Sequence, residues 1–143
     1  MAIVYANIGS NLGDKKALIY KALDLIGEKF RFYCISEFVE SQPWGFHSTN
    51  SFLNVGVAFT SDLHPEEILV LLQTIEKTIS QSSHRDKDGN YIDRELDIDI
   101  MAIDNIEYHS ERLHIPHPHL NERPFFLIPL SQLVCQTGRE QEA

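Results

Sequence analysis

Apolar and polar positions change period several times along the chain, and each change marks an element. Ala2 to Ile8 is short and apolar, which predicts a buried strand, and Gly9-Ser10-Asn11-Leu12-Gly13-Asp14 then supplies turn residues. Leu18, Ala22, Leu25 and Ile26 fall on one stripe of a following helix. Phe30, Phe32, Cys34 and Ser36 alternate with Arg31, Tyr33 and Ile35, so a second strand is expected to run through Val39 and emerge into a loop at Ser41 to Ser51. Phe52 to Thr60 reads as a third strand. Pro65 at a first helical position, Glu66 and Glu67 behind it, and Ile68, Leu72, Ile75 and Ile79 at three- and four-residue spacing predict a second helix. Ser80 to Asp93 lacks apolar periodicity and reads as a long surface loop. Glu95 to Ile103 is the fourth strand, Ile106 to Tyr108 a short edge strand, Asn121 to Leu133 a further helix, and Thr137 to Ala143 a loose polar tail.

The order β-α-β-β-α-β is that of the ferredoxin-like split βαβ unit, an α+β sandwich of an antiparallel sheet with two helices on one face. No repeat or Pro/Gly-rich linker interrupts it, so residues 1–143 are expected to form a single domain. Twelve Lys and Arg against 21 Asp and Glu give a net charge of −9, which repels nucleic acid and anionic membrane. An anionic ligand must therefore find a local basic pocket. Cys34 and Cys135 form no CxxC pattern, and no apolar stretch approaches the ~20 residues of a membrane span. With no basic flank at Met1 to Asn7, a soluble cytoplasmic protein is expected.

Candidate chemistry concentrates in Arg94-Glu95-Leu96-Asp97-Ile98-Asp99-Ile100. On a strand, Asp97 and Asp99 project from one face, ~7 Å apart, while Leu96, Ile98 and Ile100 line the other. Asp is disfavoured in strands, and like charges so close repel unless a cation sits between them. Mg²⁺, commonly held by one or two carboxylates plus substrate phosphates, is the natural candidate; the alternative is an amphipathic strand with a solvated face. A second cluster, Arg112-Leu113-His114-Ile115-Pro116-His117-Pro118-His119 with Arg123, gathers cationic groups in an acidic chain. Arg94, Arg112 and Arg123 could build the basic pocket, or pair with Glu95, Glu111 and Glu122 at the surface. The histidine spacing matches no common zinc signature. Gly9 and Gly13 fit a tight turn better than a phosphate loop, since the lysine of such loops is missing. Pro43-Trp44-Gly45, with Phe52 and Asn54 at alternate positions, offers flat aromatic surface beside an amide, which suits a planar heterocycle or simply core packing.

Taken in order, Gly9 to Asp14, Pro43-Trp44-Gly45, Phe52-Leu53-Asn54, Arg94 to Ile100 and Pro116-His117-Pro118 through Arg123-Pro124-Phe125 resemble the 6-hydroxymethyl-7,8-dihydropterin pyrophosphokinases of folate biosynthesis over nearly the whole chain. The resemblance implies transfer of the β,γ-pyrophosphoryl group of ATP to the pterin hydroxymethyl oxygen, releasing AMP. It implies two Mg²⁺ ions on Asp97 and Asp99, with Arg94 adding positive charge to the transferring group. It further implies that Phe52 and Phe125 sandwich the pterin, that Asn54 bonds its polar edge, and that Ser41, Trp44 and Tyr91 complete the slot. Gln73, Glu76, Arg112, His117 and Arg123 match positions on the ATP side. One departure is visible: the family's Gly-Arg-x-Arg stretch is replaced by Ser80-Gln81-Ser82-Ser83-His84-Arg85, which leaves His84, Arg85 or Lys87 to supply the charge. A monomer is expected, with a dimer as the alternative. The rival readings are a non-catalytic ferredoxin-like small-molecule binding module and a two-metal nucleotide hydrolase using His117 and His119.

Overall fold

In the computed structural model, which describes residues 2–42, 50–80 and 95–142, the apolar first segment becomes the central strand β1 (Ala2–Ser10). Gly13 turns the chain at φ 75°, and the Asp14 carboxylate accepts the Ala17 N–H at 3.2 Å to start α1 (Lys15–Lys29). β2 (Arg31–Ile35), β3 (Val39–Ser41) and β4 (Phe52–Ser61) follow. Helix α2 (Pro65–Ile79) starts on a cap in which the His64 ring accepts the Glu66 N–H at 3.2 Å and the Glu67 carboxylate accepts the His64 N–H at 3.1 Å, and β5 (Asp97–Ile103) closes the core sheet. The sheet order is β2-β4-β1-β5, antiparallel throughout, with β3 continuing alongside β4. This is the expected ferredoxin-like α+β arrangement.

One sheet face carries Val4, Ala6, Ile8, Val55, Val57, Phe59, Ile98 and Ile100, packed under Ile19 and Ile26 of α1 and Ile68, Leu72 and Ile75 of α2. The other carries Ile3, Tyr5, Ala58 and Met101, covered by Phe126 and Leu133 of a third helix, α3 (Pro124–Glu142). Two helices on one face is therefore incomplete, because α3 takes the opposite face. It begins at Pro124 rather than Asn121, with the Arg123 carbonyl accepting the Phe126 and Leu127 N–H groups. It also runs to Glu142, through the segment expected to be a loose tail; i→i−4 bonding continues a helix whatever its polarity.

Two strand expectations are corrected. The run from Phe30 to Val39 is broken between β2 and β3, because the Ser36 hydroxyl accepts the Gly56 N–H at 2.8 Å, in place of a backbone carbonyl, and so ends the ladder. The edge strand expected at 106–108 is a single bridge, Ile103 to Ile106, after a reversal at Asn105 with φ 60°. Tyr108–His109 (β6) instead pairs with His114–Ile115 (β7) as a separate two-stranded ribbon. Trp44, Tyr91 and Arg94, with His84, Arg85 and Lys87, lie outside the described residues. Among the described residues, no helix is long and apolar enough to cross a membrane.

Candidate active site

On the face that α3 covers only in part, strand register assembles two rows of groups. Gly9 pairs with Asn54 on one side and Asp97 on the other; Asn7 pairs with Gly56 and Asp99. As the two-residue period requires, Ile98 and Ile100 are buried beneath the helices while Asp97 and Asp99 stay half-buried on the opposite face. A methyl at Gly9 would lie 3.0 Å from Asn54 Oδ1 and 3.5 Å from the Phe52 ring, so the bare glycine lets the Asn54 amide and the Phe52 ring close in over the β1 backbone. The Asn54 amide donates to the Val39 carbonyl at 3.1 Å and to Ser41 Oγ at 2.8 Å. Its oxygen accepts from Asn7 Nδ2 at 3.3 Å. The turn after β1 fastens the entry to β4: Asn11 Nδ2 donates to the Asn50 carbonyl at 3.4 Å and Lys15 Nζ to the Ser51 carbonyl at 3.0 Å.

β5 is an edge strand of the core sheet, and along it opens a cleft of about 300 Å³. Gln73 and Glu76 line it from α2, Asp97 and Asp99 from β5, and Arg112 and His117 from the segments flanking β7. Spacing of three puts Gln73 and Glu76 on one helical face. Arg112 is positioned from a distance. Glu66 Oε2 accepts Ser110 Oγ at 2.6 Å and the Tyr108 hydroxyl at 3.0 Å, its Oε1 lies 3.9 Å from Arg112 Nε, and Arg112 Nη2 donates to Gln73 Oε1 at 3.4 Å. The Ser110 bond is the main reason the Glu66 carboxyl is held below the usual range. Arg112 thus pairs with Glu66, forty-six residues earlier, rather than with a neighbouring acid.

His117 is anchored by its backbone N–H to the Met101 carbonyl at 2.9 Å. Its Nδ1 accepts the His119 N–H at 3.0 Å, so the neutral ring carries its proton on Nε2. Burial, reinforced by Arg123 and His119 and opposed by Asp97, pushes its pKa down to about 4. It is neutral at pH 7. Arg123 is buried, with its guanidinium 5.6 Å from the Phe125 ring centre and 5.0 Å from that of Phe126; it stands behind His117 rather than lining the cleft. Phe125 is half-buried at the start of α3, and Phe52 is buried at the start of β4.

The structure thus brings together Gln73, Glu76, Asp97, Asp99, Arg112 and His117 in the cleft, and Ser41, Phe52 and Asn54 as neighbours on β3 and β4. Two contributors escaped the sequence reading. Glu66 read only as a first-turn acid, and Asn7 only as part of an apolar strand. A lone amide between Ala6 and Ile8 was the available signal for Asn7.

The sequence model of the 7,8-dihydro-6-hydroxymethylpterin-pyrophosphokinase (HPPK) family matches residues 5–135. The chain belongs to this family. Among HPPK relatives, the 2-amino-4-hydroxy-6-hydroxymethyldihydropteridine pyrophosphokinase of Porphyromonas gingivalis is 40% identical over 93% of this chain and 91% of its own. The pyrophosphokinase of the same name from Aquifex aeolicus is 36% identical over 93% and 81%. The crystal structure of wild-type Plasmodium falciparum HPPK-DHPS with SDX-DHP superposes with a TM-score of 0.66 at 16% identity, over 91% of this chain and 40% of that one. An HPPK-DHPS in complex with substrates gives 0.69 at 14%, over 94% and 42%. These structures share the fold, and the chain spans about two fifths of their length. As an HPPK, the chain is a pyrophosphokinase of folate biosynthesis with ATP as co-substrate, and neither the binding module nor the hydrolase is favoured.

Proposed function

We propose that this HPPK domain, residues 1–143, acts as a monomer in the cytoplasm and moves the β,γ-pyrophosphoryl group of ATP onto the hydroxymethyl oxygen of 6-hydroxymethyl-7,8-dihydropterin in a Mg²⁺-dependent reaction. The observation that carries the reading is the shared strand: Asp97 lines the cleft and, across Gly9, shares a sheet face with the Asn54 amide. Acceptor and nucleotide can therefore meet at one carboxylate pair.

Asp97 and Asp99 fit Mg²⁺ by donor chemistry. They are hard oxygen donors two residues apart on one strand face, and among the described residues no group of three His, Cys, Asp or Glu forms the fuller cage a softer metal would favour. Mg²⁺ needs only one or two carboxylates when phosphates and water complete its shell. Bound there, two such ions would neutralise phosphate charge and polarise the attacking hydroxyl. The chain's own residues position the reactants. Phe52 and Phe125 stack the ring, with Ser41, Trp44 and Tyr91 bordering it. Asn54, whose NH₂ is already spent on β3, offers its oxygen to a ring N–H. Arg112 and Arg94 meet phosphate oxygens, Gln73 and Glu76 border the nucleoside side, and His117 donates Nε2–H without bringing charge. Burial, reinforced by Arg123, keeps His117 neutral.

AMP formation from ATP and Mg²⁺, with and without the pterin, tests this. AMP that requires both pterin and metal is the expected result, and Asp97→Ala and Asp99→Ala should each reduce turnover at least about a hundredfold. Near-normal kcat in either variant would remove the metal assignment.

A further inference from the structure

Asn7 is the anomaly of the sheet. It is 3% exposed on the central strand, it shares a face with Asn54, Asp97 and Asp99, and its Oδ1 is buried with no hydrogen-bond partner among the described residues. The amide orientations follow from the bonds. The Val39 carbonyl can only accept, which turns the Asn54 NH₂ toward β3 and its oxygen toward Asn7. Asn7 must then present its NH₂ to Asn54, and its own oxygen is left over. A buried acceptor without a donor is rare and asks for an explanation, and packing supplies none, since an isosteric leucine would fill the same volume without the cost of burying the acceptor unpaired. Its neighbours on either side sharpen the case: Gly56 contributes no side chain, and Asp99 can only accept when ionised.

We propose that Asn7 is a second specificity-determining amide of the acceptor slot, whose Oδ1 accepts a hydrogen bond from an N–H of the bound pterin while its NH₂ holds the Asn54 oxygen in place. This rests on the assignment of Asn54 to the pterin slot. Two adjacent amide oxygens form an acceptor pair, which selects a heterocycle with neighbouring N–H donors over one that presents acceptors there. The buried oxygen gains its partner only when the ligand arrives, so the residue favours the bound state over the free one.

The test measures the pterin dissociation constant, KM for pterin and for ATP, and the melting temperature for the full chain and for Asn7→Leu, Asn7→Ala and Asn54→Ala. Asn7→Leu is expected to melt at or above wild type, to bind pterin about tenfold more weakly, and to leave KM for ATP within twofold; Asn7→Ala should show the same split between the substrates. A structural role would instead lower the melting temperature and spare the pterin constant. Pterin affinity within twofold of wild type in both Asn7 variants, with Asn54→Ala weakened, would overturn the role of Asn7 alone. Unchanged affinity in Asn54→Ala as well would overturn the slot assignment beneath it. Failure of both Asn7 variants to fold would also overturn the proposal, because a ligand-reading group is not required for folding.

Discussion

Gly56 sits where α3 crosses the sheet, and replacing it by alanine tests how closely the two layers are packed. A methyl there would lie 2.8 Å from Pro129 Cβ and 2.9 Å from Leu133 Cδ1, against ordinary contacts of 3.4 Å or more. Neither neighbour gives way cheaply. Pro129 is a rigid ring inside a helix, and Leu133 is fully buried. Overpacking of this kind costs about 1 to 3 kcal/mol. For 143 residues the unfolding entropy is about 0.3 kcal/mol/K, so Tm should fall by roughly 3 to 10 °C. A double-mutant cycle sharpens the reasoning. Leu133→Ala alone opens a cavity costing about 2 to 5 kcal/mol, but in the Gly56→Ala background it also removes the clash. The double variant should therefore cost at least about 1 kcal/mol less than the sum of the singles, measured by urea or thermal unfolding. An unchanged Tm in Gly56→Ala, or additivity within about 0.5 kcal/mol, would refute the packing argument.

Further outcomes follow from the site. Gly9→Ala pushes a methyl toward Asn54 Oδ1 and Phe52, so KM for pterin should rise about tenfold or more with KM for ATP little changed; equal effects on both substrates would contradict the pterin role of these two residues. Glu66→Ala releases Tyr108, Ser110 and Arg112 together, and the loss of about 1 kcal/mol of hydrogen bonding should raise KM for ATP several-fold while pterin binding holds. His117, with its folded pKa lowered to about 4 from the ordinary 6.5, adds no pH dependence above pH 6.5. Between 6.5 and 4 the unfolded chain takes up a proton that the folded one refuses, so stability falls as pH falls. His117→Gln should lose less stability than wild type between pH 7 and 4.5 in urea titrations; parallel losses would mean the ring is not held neutral.

Where periodicity carried the information, the sequence was a sufficient guide. Asp97 and Asp99 share a face because strands alternate, and Gln73 and Glu76 because helices repeat every three to four residues. The start of the second helix was legible from Pro65, Glu66 and Glu67 within one turn, whereas the His64 cap was not. What stayed hidden was set by distant partners. A serine hydroxyl ending β2 depends on Gly56, twenty residues away, and the pairing of Glu66 with Arg112 on how a two-stranded ribbon docks against α2. The reach of α3 to Glu142 defeated composition, because polar residues look alike in a tail and on a helix end. Asn7 needed strand register, since nothing local says which residues its amide will meet.

The pairing of Gly9 with a strand on either side has one more consequence. Asn54 and Asp97 leave the sheet two interstrand spacings apart, about 10 Å between backbones, and the Asn54 oxygen leans in over the glycine between them. A ligand that touches the amide oxygen at one end and the carboxylate at the other is therefore shorter than that backbone span. The gauge is cut into main-chain hydrogen bonds, so side-chain evolution can change what is grasped at either end but not the span between the grips.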